Sequence, residues 1–268
     1  MINVNNNNSN ASLLQQVQNK QESILEKLAS GKRINSAADG AAAQQIIDRL
    51  TTQVEGNRQA ISNAYDGVSL AQVAEGGLSG ITEDVNRIRE LSVQSGNGLL
   101  SDSDRQAIQA EVTQLQDNIS QTIEQTEFAG KSLLSSDGNI DFQVGANAGQ
   151  KIGVATQDVA AGLDDILNVD LSTAQGAEDA LAIADEAAEF VGGARADLGA
   201  TQNQFESAAR NLTQADVNVS AARSRIQDTD FAQATSENAA AGILSQTSLA
   251  VQGMANQQQG QVLSLLNG

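Results

Sequence analysis

The sequence predicts a mainly α-helical protein, with long antiparallel helices in a coiled-coil rod and one small β-hairpin. Three observations predict it. The chain contains no proline, so nothing in its composition breaks a helix interior. It has no tryptophan, one tyrosine and only five phenylalanines, so its apolar seams must be built from Ala, Leu, Ile and Val. That composition suits thin helix-on-helix contacts better than a wide core. Finally, apolar residues recur at alternating steps of three and four over long stretches.

Leu14, Val17, Gln21, Ile24 and Leu28 form the first such seam, with one polar slot at Gln21. The stretch from Gly31 to Gly40 interrupts it. A second seam runs through Ile47, Leu50, Val54, Asn57, Ile61, Ala64, Val68 and Ala71. Ile81, Val85, Ile88 and Leu91 continue it, and Gly96-Asn97-Gly98 supplies residues that readily end a helix. Ser103 with Gln106 reads as a capping box opening a third helix, whose apolar face holds Ile108, Val112, Leu115, Ile119 and Thr122 or Ile123.

The period then changes from helical to alternating. Ile140, Phe142 and Val144, then Ile152 and Val154, flank the turn-forming Gly145-Ala146-Asn147-Ala148-Gly149, which predicts a hairpin near 139–156. Ser172 with Gln175 reads as a second capping box. It opens a long helix through Leu181, Ala184, Ala188, Val191, Arg195, Leu198, Gln202, Phe205, Ala209, Leu212, Val219, Ala222 and Ile226. After a break at Asp228–Asp230, a last helix carries Ile243, Leu244, Val251, Met254, Val262, Leu263, Leu265 and Leu266.

Charge divides the chain differently from its helices. Residues 1–40 balance Lys20, Lys27, Lys32 and Arg33 against Glu22, Glu26 and Asp39, and Glu237 is the only charged side chain after residue 230. The net charge of −18 therefore belongs to the middle of the chain. Two weakly charged amphipathic ends around an acidic body suggest ends that are buried against each other or against further copies. The acidity argues against nucleic acid as a partner, because phosphates would be repelled.

Chemistry is sparse. With no cysteine and no histidine, the chain lacks thiolate sites and the commonest general base and metal ligand. Gly76-Gly77 and Gly192-Gly193 lie within helical patterns with no following Lys-Ser or Lys-Thr, so they are not phosphate loops. Asp102/Asp104 and Asp228/Asp230 lack the other ligands of a calcium loop. No enzyme activity, cofactor or metal is expected. No stretch reaches the length of a membrane span, and the start has no cleavable secretory signal.

Several motifs, in order, resemble bacterial flagellin across essentially the whole chain. They are Met1-Ile2-Asn3-Val4-Asn5; Leu28-Ala29-Ser30-Gly31-Lys32-Arg33-Ile34-Asn35-Ser36-Ala37-Ala38-Asp39-Gly40; Arg87-Ile88-Arg89-Glu90-Leu91-Ser92-Val93-Gln94; Gln143-Val144-Gly145-Ala146-Asn147; Ala194-Arg195-Ala196-Asp197-Leu198-Gly199; and Ser224-Arg225-Ile226-Gln227-Asp228-Thr229-Asp230-Phe231. Gln44, Gln45 and Leu50 depart from the family's usual residues, and only residues 157–171 separate the hairpin from the returning helix, where many flagellins insert outer domains.

The resemblance implies a subunit exported unfolded, by the flagellar type III secretion route, that polymerises outside the cell into a helical filament for swimming. It implies a discontinuous inner domain of 1–42 plus 232–268, a helical rod domain of 43–231, and no outer variable domain. Leu14, Val17, Ile24, Leu28, Ile243, Leu244, Val251, Met254, Val262, Leu263, Leu265 and Leu266 would mediate self-assembly. Gln252, Asn256, Gln257 and Gln261 would line the filament channel.

Implied partners are further copies of the chain, an export chaperone at the C-terminal segment, and the filament cap and hook–filament junction proteins. A host flagellin-sensing Toll-like receptor is implied through Arg87, Leu91 and Glu111. The alternatives are a hook–filament junction protein, which shares the terminal helices, and a secreted coiled-coil adhesin.

Overall fold

Seven helices and four strands follow from these patterns in a computed structural model that describes residues 5–266, and side chains of residues 12–254, 257 and 261. In order they are α1 (Asn5–Ser30), α2 (Ala37–Ser95), α3 (Asp102–Gln125), β1 (Glu127–Phe128), β2 (Lys131–Ser132), β3 (Ser135–Gln143), β4 (Lys151–Asp158), α4 (Val159–Gly162), α5 (Asp164–Leu167), α6 (Ala174–Gln227) and α7 (Phe231–Leu266). The two seams expected on either side of residue 75 belong to one helix, α2, whose backbone leaves helical geometry at Gly40. The chain divides into two compact units, one of residues 1–54 with 217–268 and one of residues 55–216.

The 55–216 unit holds the apolar core. Leu78, Ile81, Ile88 and Leu91 of α2 are buried with Ile119 and Ile123 of α3 and with Phe205 of α6. Between α2 and α6, Arg58 pairs with Asp216, Glu75 accepts from Gln202 at 3.0 Å, and Arg89 pairs with Asp185 at 2.6 Å. Numbers rise on one helix as they fall on the other, so the two run antiparallel. The α6 face turned inward is mostly alanine: Ala177, Ala180, Ala184, Ala187, Ala194 and Ala209 are all buried. Small side chains let two long backbones approach closely. Gly67 shows the limit of that approach, since a Cβ there would lie 2.5 Å from the Phe205 ring.

The expected hairpin is β3–β4, antiparallel, with Ile140 opposite Val154 and Phe142 opposite Ile152. Phe142 stands edge-on to Phe205 at a centroid distance of 5.5 Å, which ties the hairpin to α6. A second, two-residue ladder, β1–β2, precedes it and has no signature of alternation in the sequence.

Both expected capping boxes are displaced. At α3 the cap is Ser101, not Ser103: its hydroxyl accepts from the Asp104 N–H, and the Asp104 carboxylate accepts from the Ser101 N–H at 3.0 Å. A carboxylate three residues on outcompetes the Gln106 amide because it adds charge at the positive end of the helix. The same bonds hold the Asp104 carboxyl below the usual carboxylate range, with the Ser101 hydroxyl the largest cause. At α6 the Thr173 hydroxyl accepts from the Gly176 N–H, one residue past the expected Ser172.

The connection after the hairpin is part of the core. Val159, Leu163, Ile166, Val169 and Leu171 are buried, and Gln109 of α3 bonds both the Val169 carbonyl and the Leu171 N–H. Arg105 is also buried; its guanidinium donates to the carbonyls of Ser95 and Asn97 at the end of α2, where a cation complements the helix dipole.

Candidate functional site

In the unit formed by the two chain ends, α1 and α7 pack together. Phe231 lies 3.7 Å from a Cβ position at Gly31, and Gln21 lies 3.9 Å from one at Gly242, so the two helices are antiparallel. Gly31 has a φ of +69°, a left-handed backbone that suits glycine and ends α1. The next residues zip against the end of α6. Arg33 N–H donates to the Gln227 carbonyl at 2.6 Å, Thr229 N–H to the Gly31 carbonyl at 3.0 Å, and the Arg33 guanidinium to the Ile226 carbonyl at 2.8 Å. Two sequence motifs almost two hundred residues apart thus become one junction.

Asp39 closes this junction from the other side. Its carboxylate accepts the N–H groups of Asn35 and Ser36 at 3.0 and 2.9 Å. Those backbone bonds, led by Ser36, hold its carboxyl below the usual carboxylate range.

On α1 the named assembly residues divide by depth. Val17 and Ile24 are buried; Leu14 and Leu28 are half-buried. On α7 the expected apolar seam turns outward. Ile243 is 67 % exposed and Met254 58 %, and Leu244 and Val251 are exposed as well. The shielded line on α7 is instead Ala234, Asn238, Ala241, Ser245, Ser248 and Gln252, spaced four and three. This is a coiled-coil line of small and polar residues, which sequence reasoning passed over because it followed the larger apolar side chains. The exposed Leu13, Leu25 and Leu249 were missed for the converse reason, since they stand off those lines.

Among the channel residues, Gln252 is half-buried on the shielded line, while Gln257 and Gln261 are exposed. The side chains of Asn256, Val262, Leu263, Leu265 and Leu266 lie outside the described ones.

In the 55–216 unit, the geometry brings Arg87 and Glu111 together. Their side chains meet at 2.7 Å, and Arg87 also bonds Glu90 at 3.0 Å. The bonds to Glu111 are the main reason the Arg87 guanidinium is held even more firmly protonated than usual. Leu91 does not join them at the surface. It is 2 % exposed and supports α2 from inside the core, because it falls on the same helical line as Ile81 and Ile88.

Among the described residues there is no group of metal-ligating side chains and no helix long and apolar enough to cross a membrane.

Comparison with known proteins assigns the two ends and much of the middle. Residues 2–138 match the family model of the bacterial flagellin N-terminal helical region, and residues 181–266 match that of the C-terminal helical region. The chain is 39 % identical to the flagellar filament 30.7 kDa core protein of Treponema maltophilum, covering 91 % of each chain. It is 39 % identical to the flagellin of Bacillus subtilis strain 168, covering 90 % of this chain and 91 % of that one. The crystal structure of Bacillus cereus flagellin superposes with a TM-score of 0.53 at 25 % identity, over 60 % of this chain and 94 % of that chain. A hook-associated protein of Vibrio parahaemolyticus superposes with a TM-score of 0.61 but at 15 % identity, over 71 % of this chain and all of that one, which is a likeness of fold alone.

Proposed function

We propose, from the premise that this chain belongs to the bacterial flagellin family, that its exposed terminal-helix residues are the surfaces by which copies polymerise. The chain is a structural subunit of the bacterial flagellar filament, exported and extracellular.

One observation supports the assignment of the contact surface: α7 turns its small and polar line toward shelter and leaves Ile243, Leu244, Leu249, Val251 and Met254 in solvent. Apolar area of that kind gains about 25 cal/mol per Å² when covered. A second copy covers it. Repeating such a contact between unlike patches builds an open helical polymer rather than a closed ring.

In this reading the inner domain comprises 1–42 and 232–268, and Leu14, Val17, Ile24 and Leu28 build the wall of the tube. Val262, Leu263, Leu265 and Leu266 lock the terminal helix into it. Asn256, Gln257 and Gln261 present an uncharged lining to subunits in transit, with Gln252 at its edge. Export is of the unfolded chain by the flagellar type III secretion route, assisted by a chaperone at the C-terminal segment. The filament serves swimming and meets the cap and the hook–filament junction proteins at its ends. Arg87 and Glu111 form the face for a host flagellin-sensing receptor, with Leu91 holding that face in place from within.

Replacing Ile243 and Met254 by Asp tests the contact directly. Polymerisation, followed by sedimentation and electron microscopy, is lost while the monomer stays folded; filaments of normal length from this variant would refute the assignment.

A further inference from the structure

Asn97 and Gly98 lie in the exposed turn between α2 and α3, and they are the only Asn-Gly pair among the described residues. Three features of the turn act on the same reaction. The Gly98 N–H donates to no protein acceptor, and nothing lies within 4 Å of a Cβ position at Gly98. The attacking nitrogen is therefore free and unshielded. The Asn97 Oδ1 accepts from the Leu99 N–H at 3.1 Å. That bond folds the side chain back over the following peptide, so that the Gly98 nitrogen lies within the hydrogen-bonded ring. It also places a donor where negative charge develops if the Asn97 Cγ is attacked.

The main chain of Asn97 is fixed meanwhile. Its N–H donates to the Gln94 carbonyl at 3.2 Å, and its carbonyl accepts from Leu100 N–H at 3.1 Å and from the buried Arg105 at 3.2 Å. The reacting pair is open, and its main chain is tied to the end of α2 and to Arg105.

We infer that Asn97 is a site of spontaneous covalent modification, with water as the only co-reactant. The Gly98 nitrogen gives its proton to solvent and forms a bond to the Asn97 Cγ. The Cγ–Nδ2 bond breaks, and the nitrogen leaves as ammonia with a solvent proton. Water then opens the cyclic imide at either carbonyl, giving aspartate or isoaspartate. The net change is one amide plus water to one carboxylate plus ammonium, with no oxidation or reduction.

Each event adds a negative charge to a chain already at −18. The isoaspartyl product also inserts a methylene into the main chain at the residue whose carbonyl holds Arg105, which loosens the α2–α3 turn. In a filament of many copies these charges accumulate with age; that consequence rests on the filament reading, whereas the chemistry does not.

The test uses the full chain, as monomer and as filament, aged in mildly alkaline buffer. Peptide mapping follows the amide-to-acid mass change at Asn97 against Asn63, Asn147 and Asn203, and an isoaspartyl methyltransferase reports the isomerised product. The expected result is conversion at Asn97 several-fold faster than at each comparator, slowed several-fold by Gly98→Ala. Equal rates at all four asparagines, or a rate at Asn97 that Gly98→Ala leaves unchanged, would overturn the inference. Asn97→Gln gives a second check, since its longer side chain does not close the same ring: the methyltransferase signal from this peptide disappears, and a signal that persists overturns the assignment. A preparation that fails to polymerise counts against the filament reading alone, because the monomer carries the same chemistry.

Discussion

The two units of this chain satisfy their apolar residues in opposite ways. The 55–216 unit covers most of its own: Leu78, Ile81, Ile88, Ile119 and Phe205 are all fully buried within it, and Tyr65, Val73, Val93 and Leu99 are the large apolar side chains it leaves exposed. The unit of the two chain ends shields Val17, Ile24, Ala234 and Ala241 but leaves Leu13, Leu25, Ile243, Leu249 and Met254 in water. Helices of this length are marginal on their own, and their stability comes from packing a face. The middle unit therefore carries its stability with it, while in the proposed reading the end unit acquires much of its stability from other copies. Charge follows the same division, since the net negative charge belongs to the middle and repels copies of the free chain.

The comparison breaks most visibly where the middle unit loses its anchor. Phe205→Ala removes the ring that meets Phe142 and is expected to cost about 3–5 kcal/mol by chemical denaturation. Gly67→Ala forces a Cβ against the same ring and is expected to cost about 1–3 kcal/mol. Neither change should abolish polymerisation under conditions where the unit stays folded. The converse holds for Ile243→Asp with Met254→Asp, which leave the monomer's denaturation midpoint unchanged and prevent polymer growth. An effect of Ile243→Asp on monomer stability as large as that of Phe205→Ala would dissolve the distinction between the units.

A smaller effect is expected at Ser101→Ala, which removes the α3 cap and costs about 1 kcal/mol. The smallest concerns pH. Asp39 and Asp104 titrate below their unfolded values, so the stability they lend is present above the unfolded carboxylate range and is lost as pH falls through the folded one. Asp39→Asn should flatten the acid response of the junction at Gly31–Arg33, and Asp104→Asn that of α3, both read by acid titration of helicity.

Asn57 sharpens the contrast inside the middle unit. It is 4 % exposed in an otherwise apolar seam, its Nδ2 has no protein partner, and Asp216 on α6 has a buried oxygen likewise without one. A polar residue at a seam position fixes register at a cost in stability. Asn57→Leu is expected to raise the denaturation midpoint of the monomer.

Long-range periodicity made the helices legible, because 3-4 spacing directly records which face is covered. The hairpin was legible from alternation at Ile140, Phe142 and Val144. Three things were not. The connector through Val159, Ile166 and Leu171 is too short for any period to show, and its place is set by Gln109 and Gln116 of α3. Arg105 reads as a solvated charge until the end of α2 is seen to need a donor. On α7, side-chain size pointed to the exposed face, whereas the line shielded within the chain is built of Ala, Asn, Ser and Gln, most of them small enough to allow close approach to α1. The junction of Gly31–Arg33 with Ile226–Thr229 joins segments at opposite ends of the sequence, and neither motif names the other.

Backbone hydrogen exchange, compared between monomer and filament, tests the central claim most directly. Amides of α2 and α6 within 55–216 are expected to be protected in both states, while those of residues 12–30 and 231–254 exchange quickly in the monomer and become protected only on polymerisation. Equal protection of the end helices in the monomer and in the filament would contradict it.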